Sequence, residues 1–205
     1  VMAQYGDEAM AAWAVVGRLT VVVFGGIFAL SGAIGGIFGQ NFGAGQMDRV
    51  RSTYRHALIF CAAYTLAAWA LMLGALPYVT AAFGLTGLGA EVLRAFGQVG
   101  VGGFVFIGAL FVSNAAFNNL GRPIWSTLVN WLKDGVLSWP AAAGLAVLFG
   151  APGVIYGQAL AGAIVGIMAA TWGWFFVKRL RGPDDVALDP VHPRPYPNPD
   201  RFRRR

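Results

Sequence analysis

Apolar residues run along this chain in long blocks and never alternate with polar ones at a period of two. Five blocks stand out: Ala9 to Phe38, broken only by Arg18, then Ala57 to Phe83, Ala95 to Leu120, Ile124 to Phe149, and Ile155 to Val177. Crossing a hydrocarbon core takes roughly 20 helical residues, and every block reaches that length. A barrel strand is about half as long and alternates. The pattern therefore predicts an all-α integral membrane protein with five transmembrane helices in an up-and-down bundle. Residues 1–8 read as an external loop, 9–180 as the transmembrane lobe, and 181–205 as a disordered basic tail, rich in Pro, Asp and Arg.

Composition supports a membrane setting. The 205 residues are 57% hydrophobic and only 12% charged, with a mean hydropathy of +0.61. Soluble domains carry about 25% charged residues. The net charge of +6 sits in short patches beside the apolar blocks, which points to anionic lipid and topology rather than nucleic acid. Arg49, Arg51 and Arg55 follow the first block, Arg122 the third, and Lys178, Arg179 and Arg181 the fifth. The alternate connections are poor in basic residues, so these three sites predict one cytoplasmic side and a cytoplasmic C-terminus.

One connection raises a chemical question. GQNFGAGQMDRVR, Gly39 to Arg51, is glycine-rich in the manner of a phosphate loop. A phosphate loop needs a preceding strand and, in the Walker form, a Lys followed by Ser or Thr. Here a membrane-length helix precedes the run and no Lys occurs in it. The glycines read instead as an elbow that turns the chain back toward the bilayer. Asp48 is then placed to cap an amphipathic segment, DRVRSTYRH, leading into the second span.

The same run resembles the loop of multidrug and toxic compound extrusion (MATE) transporters. Gly39, Gln40, Asn41, Gly43, Ala44 and Gly45 match its glycine-rich part, and Asp48 and Arg49 its Asp-Arg pair. FNNLGRPIWSTLVNW, Phe117 to Trp131, is similar to the turn between the fourth and fifth helices of that family's second half. GAPGVIYGQALAGAIVG, Gly150 to Gly166, is similar to the start of its last helix. The resemblance covers about residues 5 to 180. It implies a transporter of twelve helices in two lobes, of which these five spans are the last. It also implies, as partners, an N-terminal lobe of the same chain before Val1, the lipid bilayer and a small organic substrate.

By the same resemblance the function is antiport: organic, often cationic, compounds leave in exchange for H+ or Na+ by alternating access. The expected setting is a bacterial cytoplasmic (inner) membrane. One branch of the family places a cation site partly on the helix corresponding to the third span. Between Ala95 and Leu120 there is no Asp, Glu or Tyr, so no such site carries over. The coupling ion is expected to bind outside these residues, with no cofactor and no protein-bound metal.

Ionisable and amide side chains inside spans are candidates for function. Lys133 and Asp134 fall near the middle of the fourth span. Neighbouring helical residues diverge by about 100°, so each is expected to need its own partner or a shared aqueous cavity. Asn130 and Asp134, four apart, share a face. Asn114 and Asn118, also four apart, form a polar stripe on the third span. Two readings stand for these five residues: they line a substrate or proton route, or they hold helices together. Arg18 reads as snorkelling toward the outer headgroups, and Gln158 as interfacial. Trp125, Trp172 and Trp174 read as interfacial belt residues, and Trp131 and Trp139 as core. Pro140 is expected to kink the fourth span.

Three competing functions remain distinguishable. A flippase of the wider superfamily, moving anionic lipid or polysaccharide precursors, would favour several basic residues in the spans, where only Arg18 and Lys133 occur. A membrane enzyme would need clustered His, Asp or Glu, yet His56 and His192 lie far apart and Cys61 is the single cysteine. A non-transporting scaffold would tolerate an apolar pair in place of Lys133 and Asp134.

Overall fold

The computed structural model describes residues 1–183. The expected disordered tail, beyond Pro183, lies outside the described residues. Five long helices are present, all apolar and long enough to span a bilayer: α1 (Asp7–Gly43), α2 (Met47–Ala82), α3 (Gly87–Asn119), α4 (Pro123–Phe149) and α5 (Ala151–Arg179). A short 3-10 turn, Met2–Tyr5, precedes them. Tyr5 Oη fastens it by donating to the carbonyl of Ala146 at 2.9 Å. No strand occurs among the described residues, so backbone polar groups are satisfied within each helix, as a bilayer demands.

The expected spans are all present, but the helices run further than the apolar blocks. The elbow is the clearest correction. α1 continues through Gly39, Gln40 and Asn41 to Gly43, leaving a turn of only residues 44–46. Only Gly45 in this run adopts positive φ, at 71°. Extending the helix satisfies backbone groups that a glycine loop would leave to water, and Asn41 Nδ2 donates back to the Ile37 carbonyl at 2.8 Å.

Asp48 does not cap α2 either. The helix begins at Met47 with Gln46 at the cap position and no side-chain cap bond. Asp48 thus sits one residue too far in. It instead accepts from Arg51 Nη1 at 2.8 Å, and its charge still complements the helix N-terminus. DRVRSTYRH is no separate segment; it is the first turns of α2.

Close packing centres on α5, which touches α4 near its start, α3 in its middle and α2 near its end. A glycine stands at each approach. A Cβ on Gly153 or Gly157 would overlap the backbone of α4 at Leu145 or Ala142. One on Gly162 or Gly166 would strike Ile107 or Phe106 of α3. Without a hydrophobic driving force between helices in lipid, such backbone proximity supplies the dispersion energy of association. Gly162 and Gly166 are therefore tight fixed contacts. Gly25, Gly32 and Gly36 of α1, by contrast, have nothing within 4 Å of an added Cβ.

The basic ends of α2 and α5 meet. Arg51 donates to the carbonyls of Leu180 at 3.0 Å and Lys178 at 3.4 Å, cationic partners for the electronegative end of α5. Outward-facing apolar side chains such as Val22, Leu71 and Val147 are 78%, 75% and 86% exposed. Surfaces of this kind suit lipid or a second lobe rather than water.

Candidate functional site

The site begins with a proline. Pro140 lacks an N–H, and its ring crowds the carbonyl four residues back, at Val136. The chain answers with a π-helical stretch, Trp131–Leu137, immediately upstream. Such wide turns inside α-helices recur at functional sites. The expected kink of α4 thus takes the form of a local widening, and it falls on Lys133 and Asp134.

Widening corrects the expectation that these neighbours cannot meet. Lys133 Nζ donates to Asp134 Oδ1 as an ion pair. In a π turn successive residues diverge less than in an α-helix, and the four-carbon stem of lysine bends the rest of the way. Lys133 is the more enclosed partner, with its side chain 19% exposed against 66% for Asp134.

Both side chains line a cleft of about 410 Å³ between four helices. α1 contributes Trp13 and Thr20, α3 Phe96 and Phe104, α4 also Ser138, and α5 Ile155 and Gln158. A second cleft of about 430 Å³ adjoins it, sharing Trp13, Asp134, Ser138 and Gln158 and reaching Met10 and Trp139. Asp134 stands where the two join. Concave, largely apolar walls with a few aromatic rings and few polar groups are the usual make-up of a small-molecule site.

The asparagines are elsewhere. Asn114 Nδ2 donates to Asn130 Oδ1 at 3.0 Å, linking α3 to α4. Neither residue lines the clefts. The face expected to be common to Asn130 and Asp134 is divided, one joining helices and the other facing the cavity. Asn118 is exposed and makes no side-chain hydrogen bond among the described residues. Asn114 and Asn118 thus do not share a hydrogen-bonded contact.

Several aromatic expectations change. Trp131 and Trp139 are not core residues, being 70% and 68% exposed. Trp125 and Trp172 are less interfacial than expected: their rings pack 4.7 Å apart, with Phe117 and Phe176 around Trp125 at 5.6 and 5.1 Å. A belt tryptophan near one helix end becomes a packed one when two such ends are brought side by side. Arg18 is exposed, in keeping with its snorkelling reading.

Sequence reasoning missed Trp13, Thr20 and Ser138 as cleft residues and placed Gln158 at the interface. Thr20, Ser138 and Gln158 are polar positions in apolar spans, so a signal existed. Trp13 carried none, because a tryptophan near a helix start reads as a belt residue whichever way it faces.

A protein-family model, MatE, matches residues 1–142. The chain belongs to the MatE family. The described helices also superpose on a MATE transporter from Vibrio cholerae, VcmN in its bent form, with a TM-score of 0.80 at 17% identity. That match covers 91% of this chain and 41% of the Vibrio protein, so the chain spans well under half the length of the transporter it resembles. No curated protein has a matching sequence.

This MatE-family chain is thus a multi-pass membrane protein of a transporter family, with an all-α fold. Its cleft holds a carboxylate on α4, while the α3 wall at Phe96, Gly100, Gly103, Phe104 and Ile107 is uncharged.

Proposed function

We propose that these helices form one lobe of a secondary antiporter that exports organic, often cationic, compounds against inward H+ or Na+. A second lobe of the same polypeptide, facing the clefts across a central cavity, completes the transporter. The basic ends of α2 and α5 face the cytoplasm of a bacterial inner membrane. The observation that carries this reading is Asp134, two-thirds exposed at the joint of two largely apolar clefts that share Trp13, on an interrupted helix. Interrupted helices at mid-membrane are the customary sites of substrate and ion binding in secondary transporters, and a carboxylate beside tryptophan suits a cation.

The test is Asp134→Asn in the full-length protein, with efflux of ethidium followed in cells at matched expression. Efflux at least tenfold slower is expected. Unchanged efflux at equal protein level removes Asp134 from the transport path.

A further inference from the structure

Ion pairs that hold membrane helices together join two helices; the Lys133–Asp134 pair joins none. Both residues lie in one turn of α4, so the bond can open without separating any helices. No charged side chain of α1, α3 or α5 lines the main cleft, to which those helices bring the polar side chains of Thr20 and Gln158. The adjoining cleft adds no further charged side chain. Among the described residues Asp134 therefore faces a tethered ammonium as its one counter-ion, on a lysine side chain that is four-fifths enclosed.

We propose that Lys133 occupies Asp134 in place of the cargo and carries the proton that is exchanged. The inference rests on the antiporter reading above and names its coupling group. An organic cation entering the cleft comes beside Trp13 and Phe104, which line it, and takes the Asp134 carboxylate. Lys133 is then left in an apolar wall with no counter-ion. An unpaired charge there costs more than a neutral amine, so the ammonium releases its proton to the aqueous side on which the cleft is open.

The balance is simple. The pair of LysH+ and Asp− plus a cargo cation becomes the cargo–Asp− pair, a neutral Lys133 amine and one free proton. No covalent bond other than N–H breaks. The site is neutral before and after, so neither the empty nor the loaded lobe carries uncompensated charge through the bilayer. On the opposite side, protonation of Lys133 restores the internal pair and expels the cargo.

The experiment uses the purified full-length protein and tetraphenylphosphonium, a permanent cation with no proton of its own. Isothermal titration calorimetry in two buffers of different ionisation enthalpy counts protons released on binding. The wild type is expected to release about one per cation bound, by linkage. Lys133→Met should bind about tenfold more tightly, having lost the internal competitor, and release none. Lys133→Arg keeps the pair but has no dissociable proton, so it should bind more weakly and also release none. Proton release equal to the wild type in either variant overturns the proposal, and the arginine variant decides the matter if the methionine variant does not fold. If Asp134→Asn abolishes binding while Lys133→Met still releases a proton, only the role of Lys133 falls. If Asp134→Asn leaves binding intact, the site itself falls with it.

Discussion

Tyr54 and Gly173 meet across α2 and α5 with no space between them. A methyl group on Gly173 would stand 3.0 Å from Tyr54 Cζ and nearer still to its hydroxyl. The tyrosine is fully buried. Its hydroxyl lies 2.8 Å from Ser113 Oγ of α3 and donates to the Ala170 carbonyl of α5 at 2.9 Å. One side chain thus ties three helices, and glycine opposite it is the condition for doing so.

Replacing Gly173 by Ala should therefore destabilise the lobe by about 1–3 kcal/mol, the range for overpacking a filled site. Tyr54→Phe removes only the hydroxyl and should cost about 1 kcal/mol. Combined, the two should cost less than their sum, because the phenylalanine relieves the closest overlap. Thermal unfolding of the four purified proteins in one detergent closes this cycle. Strict additivity would show that the two residues do not compete for the same space.

Glycines on α5 and α1 should respond oppositely to the same change. Gly166 abuts the backbone carbonyl of Phe106, which cannot turn aside, whereas Gly36 has nothing within 4 Å. Gly166→Ala should lower the melting temperature sharply. Gly36→Ala should leave it unchanged or raise it, since alanine in a helix is favoured by about 0.5–1 kcal/mol. Equal effects at both positions would contradict the packing described.

The Asn114–Asn130 bond should matter and Asn118 should not. Interhelical hydrogen bonds in membranes average about 0.6 kcal/mol and reach roughly 1.7. Asn130→Ala should destabilise by an amount in that range, and Asn118→Ala by none that unfolding detects. Transport is the discriminating readout: if Asn118→Ala impairs efflux at full stability, that exposed amide touches substrate or the opposite lobe.

Pro140 is the origin of the wide turn. Pro140→Ala restores an N–H to the helix, so the turn at residues 131–137 should regularise and rotate Lys133 and Asp134 with respect to the cleft. Unfolding temperature should rise while efflux falls several-fold. A variant that is more stable and equally active would separate the π turn from function.

Much of this architecture is readable from residue order. Block length and lack of alternation identify five spans, because a bilayer leaves the backbone few alternatives. Glycine 45 marks the first elbow, since a side chain there would be strained at positive φ. Pro140 marks the disturbance in α4. Helix ends were less legible at Gly39–Gly43 and Met47–Ala57, because backbone hydrogen bonding carries a helix past the point where apolar composition stops.

The sequence by itself determined that this is a membrane-spanning helical protein, where its spans lie, and that Lys133 and Asp134 are costly enough in lipid to need a reason. Only the tertiary structure decided what each polar or aromatic residue faces. Spacing along one helix gives relative angles, not the direction of a neighbour, so Asn130 could not be told from Asp134, and the belt reading of Trp125 and the core reading of Trp139 are both reversed. The pairing of Lys133 with Asp134 depended on a local change of helical pitch, and the cleft around them on α1 and α5 arriving from more than a hundred residues and some twenty residues away. Those approaches are set by glycine contacts and ring packing between helices, which exist only once the helices have met.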